Sequence, residues 1–292
     1  MRSRKKNIFI ATCIIPTFAL FSLIVIYPTI KTFSMSFYQW SGISQNAVFI
    51  GFKNYVDLFK DRTLIIAFKN TIFLILTVPI ITMTLSLFFA AILTQFKLKG
   101  KNFYRTVFFF PNVLALVVIS ILWSQIYHPT MGILNSFLDT IGLEGLKQVW
   151  LGDEKVVMWA IVMTMVWQAV GYYMVMYIAG IDGIPKALYE AATVDGASGT
   201  RKFFSITIPM LWEVIRTTII FMISSTLNMS FIFCRVMTAG GPNKSSEVLL
   251  TYMYNQAFQN ANFGYAMAIA VVIFIFTVCL ALISNRLTER RD

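Results

Sequence analysis

The chain has 292 residues, 58% hydrophobic and 13% charged, with a formal net charge of +11. Soluble globular proteins carry roughly 25% charged residues, so this chain has too little polar surface for a water-soluble body. In a soluble protein the positive charge would suggest nucleic acid, but the basic residues lie between long apolar runs and form no recognition motif, which excludes that class.

A helix needs about 20 apolar residues to cross the hydrocarbon core. The first such run is 8–27. It follows Met1-Arg2-Ser3-Arg4-Lys5-Lys6, a basic start like that of a signal peptide. The run is long and lacks a small-x-small cleavage site, so it reads as an uncleaved span. A loop over 31–69 is long enough for a short interfacial helix. The second run is 70–95 and the third 106–127. A second long loop, 128–155, begins at the lone His128, which has no ligand partner and reads as structural. The fourth run is 156–180, the fifth 214–235 and the sixth 264–285, with a loop over 182–213 between the fourth and fifth.

Every Asp and Glu falls outside these runs, as expected when a mid-membrane charge costs about 2.5–3.5 kcal/mol. Trp40, Tyr55, Trp150 and Trp159 lie near the boundaries, where an aromatic belt accounts for them. Cys13, Cys234 and Cys279 have neither metal-ligand nor disulfide spacing. The expected fold class is all-α: a polytopic membrane helical bundle of about six transmembrane helices, one transmembrane domain over 1–292.

Orientation follows from Lys and Arg. The N-terminus, the 96–105 loop, the 182–216 region and the tail together carry 15 of the 24, and the opposite side carries 9. The richer side is cytoplasmic, so both termini are expected inside, which agrees with an even number of spans.

The 182–213 loop stands out. Pro185 can open a helix in its first turn, the residues to Val194 are mostly competent helix formers, and Gly196 supplies a left-handed turn to end it. Thr200 is a candidate N-cap for a second short helix, and Pro209 marks the entry to the fifth span. Leu188, Tyr189, Val194, Phe203 and Phe204 all need cover. Ala191-Ala192 permits close approach, and Glu190 offers a charge for an arginine. This pattern fits a knob inserted into a groove on a soluble partner. It fits equally a helix packed only on its own chain.

Glu190-Ala191-Ala192, three residues, Gly196, nine residues and Ile206-x-Ile208-Pro209 resemble the EAA motif of binding-protein-dependent ABC importer permeases, with Ile208 where Leu is usual. Phe49-Ile50-Gly51-Phe52-Lys53-Asn54-Tyr55, Gly132-Ile133-Leu134-Asn135, Thr238-Ala239-Gly240-Gly241-Pro242 and Gly264-Tyr265-Ala266 resemble segments of the sugar permeases in that family. The Gly-Gly-Pro turn is similar to the larger-subunit type of the maltose transporter. The chain lacks that subunit's extra spans and large outer domain.

The resemblance implies the type I ABC importer permease fold in a bacterial cytoplasmic (inner) membrane. It implies a coupling surface formed by Glu190, Ala191, Ala192, Asp195, Gly196 and Arg201. It also implies the partners: a second homologous permease, two ABC ATPase subunits that use ATP and Mg, an extracellular or periplasmic sugar-binding protein, and membrane lipid.

The chain has no phosphate loop of its own. Gly100-Lys101-Asn102 lacks the hydroxyl and the upstream Gly, so no cofactor is expected in this chain. No intramembrane carboxylate offers an ion relay, which argues against a secondary transporter, and no acid–base constellation suggests an enzyme. The expected function is a permease subunit moving a sugar or oligosaccharide by alternating access, with a polyol or glycerol phosphate as the alternative cargo.

A sugar site combines aromatic walls with a few placed polar groups. The fourth span offers Trp167, Gln168, Tyr172 and Tyr173, with Gly171 free for close backbone approach. The fifth offers Ser225, Thr226, Asn228 and Phe231. Interhelical glue is the plainer role for such residues. By resemblance, Tyr172 falls on a substrate-contacting tyrosine, Gln168 lies one turn before it on the same face, and Thr226 and Asn228 are the fifth-span candidates.

Overall fold

The computed structural model describes residues 2–42, 46–95 and 99–288. Lys97, Arg290 and Arg291, which entered the charge count, lie outside them, and the side chains of the basic N-terminus are not described. Among the described residues, five helices are long and apolar enough to cross a membrane, or six if one bent pair counts as a single span. The contacts divide the chain into two units, Met1–Arg62 with Met253–Val278, and Thr63–Tyr252 with Cys279–Asp292.

In the first unit, α1 (Arg2–Phe21) continues through a π turn, Ser22–Ile26, into α2 (Tyr27–Met35). The helix therefore outruns the expected end at 27. An apolar window marks the hydrocarbon depth, whereas a helix stops only where its backbone pairing stops. Two short strands follow, β1 (Tyr38–Gln39) and β2 (Val48–Phe49), paired antiparallel. Next comes α3 (Lys53–Lys60).

The buried Asn54 fixes α3 by donating to the backbone oxygens of Ser36 at 2.7 Å and Tyr38 at 3.1 Å. The Tyr55 hydroxyl meets Ser36 Oγ at 2.7 Å. Gly264 lies where a Cβ would strike the Tyr38 carbonyl, and its N–H donates to the Trp40 oxygen at 3.1 Å. The Tyr265 hydroxyl donates to Asp61 at 2.7 Å. The 49–55 and 264–266 segments thus have a structural role: they tie the first unit together.

In the second unit, α4 (Arg62–Gln95) has 34 residues, about 51 Å at 1.5 Å per residue, and begins before the expected 70. α5 (Lys101–Val113) and α6 (Leu116–Ile126) replace the single third span expected over 106–127, and they are bent by 102°. Leu114 and Ala115 are extended between them, just past Pro111. A charge-free window cannot reveal such a break, because both arms are equally apolar. α7 (Ile133–Thr140) leads through a short 3-10 turn to α8 (Val157–Asp182). Then follow α9 (Lys186–Val194), α10 (Gly199–Lys202), a π turn over Phe203–Thr207, α11 (Ile208–Met210) and α12 (Trp212–Met237). α13 (Leu249–Tyr254) follows, and α14 (Phe263–Thr288) belongs to the first unit as far as Val278.

α8 is apolar on all sides, the mark of a helix enclosed by others, and 72% of its span window is buried. α5 packs on α8, and α6 on α12. Polar side chains stitch these contacts. Ser86 donates to the Val170 carbonyl at 2.8 Å, Tyr127 to that of Ala160 at 3.0 Å, and Tyr177 pairs with Thr218 at 2.8 Å. Such bonds between membrane helices are worth about 0.6 kcal/mol on average.

Two loops are built around single side chains. Asn135 donates to the Pro129 and Gln148 carbonyls at 3.0 and 2.9 Å and accepts from Trp150 Nε1 at 2.8 Å. A lipid-facing belt therefore does not account for Trp150: its indole N–H is held inside the loop. His128 Nδ1 accepts from the Met131 N–H at 3.2 Å, a loop-closing role. After α12, Ala239 and Gly240 take positive φ, and a Cβ on Gly240 would meet the fully buried Glu247 carboxylate. Asn70 secures this turn from α4 by donating to the Ser245 and Glu247 carbonyls at 2.8 and 2.9 Å.

Candidate functional site

The first feature is a cavity of about 330 Å³ bordered by α5, α8 and α12. Gly171 creates the close approach that shapes it. A Cβ there would collide with the Phe108 carbonyl, so α5 lies directly against the α8 backbone. From α8 the cavity receives Gln168, Ala169, Tyr172, Tyr173 and Met176, a set linked into one face by three- and four-residue spacings. α12 contributes Phe221, Met222, Ser225 and Met229, and α5 contributes Asn112.

Gln168 is 4% exposed, and its Oε1 is buried without a hydrogen-bond partner. Tyr172 is 41% exposed and its ring stands edge-on to Tyr173 at 5.2 Å. Ser225 borders the same cavity from α12 as Tyr173 does from α8. Trp167 turns away to pack on Trp123 at 5.5 Å.

The two fifth-span candidates lie elsewhere. Thr226 is fully buried with its hydroxyl unpartnered, outside the cavity lining. Asn228 is exposed, donates to the Ser224 carbonyl at 3.1 Å, and does not line the cavity either. Ser225 and Met229, one turn apart, hold the cavity-facing stripe of α12 instead. Sequence reasoning missed Asn112 and the methionines. The signal for Asn112 was an amide directly after Pro111 inside an apolar run. The methionines carried none.

The second feature is the 182–213 loop. Pro185 sits at the N-cap of α9, one position before the first turn. Gly196 ends that helix with φ +75°, and the Ala197 N–H donates back to the Ala192 carbonyl at 2.9 Å, closing the C-terminus. The N-cap of α10 is Ser198, not the expected Thr200, and its Oγ accepts from the Arg201 N–H at 3.3 Å. Both are hydroxyl residues, and the extended backbone at Ser198 decides between them.

No residue of α9 is buried. Glu190, Ala191, Asp195, Gly196 and Arg201 are exposed, and Ala192 is half-buried. Val194 is 89% exposed and Leu188 42%. Two tethers hold the helix: the Tyr189 hydroxyl on Thr207 Oγ1 at 2.8 Å, and Lys202 Nζ on Thr193 Oγ1 at 2.8 Å. Arg105 on α5 lies 3.5 Å from Asp182 at the loop's root. Phe203 and Phe204 border a groove of about 600 Å³ against Leu87 and Phe88 of α4, with Phe204 still 65% exposed. The loop is thus a positioned elbow whose apolar tip the described residues leave uncovered.

Residues 48–291 match the family described as binding-protein-dependent transport system inner membrane component. The chain is 39% identical to the probable ABC transporter permease protein YurN of Bacillus subtilis, with 91% of each chain covered. It is 34% identical to the diacetylchitobiose uptake system permease protein NgcF of Streptomyces coelicolor, over 92% of this chain and 80% of that one. Among solved structures it superposes on a chain of a bacterial alginate ABC transporter in complex with an alginate pentasaccharide-bound periplasmic protein. That match has a TM-score of 0.86 and 23% identity, over 99% of this chain and 96% of that one, and shows the shared fold.

Proposed function

The chain belongs to the family of inner membrane components of binding-protein-dependent transport systems, and on that premise we propose that it is one of two permease subunits of an ATP-driven carbohydrate importer. The observation that carries this reading is the elbow at α9. It is ordered, tethered at both ends and apolar at the tip, yet uncovered by the described residues. An exposed apolar knob beside a charge suits a groove on a partner.

In this reading Glu190, Ala191, Ala192, Asp195, Gly196 and Arg201 face one of two ATPase subunits, which bind ATP and Mg. The excess of Lys and Arg puts the elbow and both termini in the cytoplasm. The cavity bordered by Gln168 and Tyr172 is this chain's share of the pathway, completed by a second homologous permease and fed by an external sugar-binding protein. Thr226 and Asn228, the fifth-span candidates for substrate contact, lie outside the cavity lining. The cargo assignment draws on a relative named for diacetylchitobiose, and on a lining of amides, hydroxyls and aromatic rings. Closure of the ATPases would press on the elbow and rock the helices around the cavity between two arrangements.

The test uses the assembled transporter. Glu190→Ala is expected to abolish sugar uptake and uncouple ATP hydrolysis while the subunits still insert and assemble. Uptake at the normal rate would remove the coupling role.

A further inference from the structure

We propose that this chain's share of the pathway is built for a carbohydrate without net charge, and that it turns away sugars bearing carboxylate, sulfonate or phosphate groups. The proposal rests on the importer reading above and narrows its cargo. Every polar side chain on the cavity lining is neutral: the amides of Asn112 and Gln168 and the hydroxyls of Tyr172, Tyr173 and Ser225. Among the described residues, no Lys, Arg, His, Asp or Glu borders it. An anion taken from water into such a site meets no counter-charge, and its desolvation goes uncompensated. A hydroxyl needs only one donor or acceptor, and these groups supply both.

Two features favour hydrogen-bond donors over anions. The Gln168 Oε1 has no hydrogen-bond partner among the described residues and is itself almost closed to solvent, so it accepts an incoming O–H only once the side chain turns toward the cavity. A carboxylate or phosphate oxygen, itself an acceptor, is repelled by it. Asn112 lies in the last turn of α5, where terminal carbonyls lack helical partners and carry the negative end of the helix dipole. The opposite pole, the N-terminus of α6, starts at Leu116 and does not border the cavity. Of the two cations on α5, Lys101 lies three turns before Asn112, and Arg105, two turns before it, faces Asp182 at 3.5 Å. Tyr172 and Phe221 supply ring faces for the C–H surface of a pyranose.

The experiment is an uptake panel on the complete transporter in a strain lacking other routes. Labelled lactose and maltotriose are compared with trigalacturonate and sn-glycerol 3-phosphate. The expected result is ATP-dependent uptake of a neutral sugar, with the anionic solutes at least about 100-fold slower. Uptake of an anionic solute at a comparable rate overturns the charge selectivity and leaves the importer reading standing. Absence of uptake for every carbohydrate overturns both. Gln168→Leu, checked for intact assembly, is expected to slow uptake of the neutral sugar about tenfold, the worth of one lost hydrogen bond. An unchanged rate removes the acceptor from the site.

Discussion

Helices α8 and α9 are separated by three residues, and both carry apolar side chains, yet their surroundings are opposite. Within the span of α8, 72% of residues are buried, whereas α9 has no buried residue. One is clasped by α4, α5, α6 and α12 through Ser86, Tyr127 and Tyr177. The other hangs on two side-chain bonds, from Tyr189 and Lys202. The contrast separates what the chain needs for folding from what it leaves free for a partner. Substitutions in α8 act on stability, and substitutions on the tip of α9 act on function at constant stability.

The sharpest way to break that contrast is Gly171→Leu. Its side chain has no room beside the Phe108 carbonyl, and overpacking of that kind costs about 3 kcal/mol or more. A large drop in the melting temperature of the purified protein in detergent is expected, and an unchanged melt would mean that α5 does not lie on α8. Asn135→Ala comes next, since it strips Trp150 and Gln148 of their shared partner. A loss of about 2 kcal/mol is expected in the same assay, with more rapid proteolysis of the 128–155 loop. Tyr177→Phe removes the bonds to Thr218 and Met83 and should cost about 1 kcal/mol, at about 0.6 kcal/mol each. Smallest in stability is Val194→Ser on the exposed tip of α9, expected to stay within about 0.5 kcal/mol. Its uptake should nevertheless fall severalfold. A stability loss as large as that of Gly171→Leu would erase the distinction between the two helices.

The fold was largely readable because lipid selects composition. A run such as 156–180 announces itself by lacking charge. The close backbone contact at Gly171 was also foreseeable, since only glycine tolerates one. The 102° bend after Pro111 was hidden, because both arms of the third span are apolar and neither length nor charge marks Leu114 and Ala115 as extended. Within the cavity, Gln168 and Tyr172 were foreseen. The α12 stripe was not, because Ser225, Thr226 and Asn228 are all polar and only helix rotation decides which of them meets the cavity. Trp150 shows the same limit: its partner, Asn135, lies 15 residues back in a loop whose geometry composition does not encode.

The contact at Gly171 also bears on how the cavity can change shape. With the backbone of one helix pressed onto that of another and no side chain between them to yield, α5 and α8 cannot slide or part by small steps. Asn112, Gln168 and Tyr172 are therefore carried as one rigid jaw. In the proposed transport cycle the adaptable side is α12, whose cavity-facing wall of Phe221, Met222 and Met229 includes pliant methionines able to re-pack.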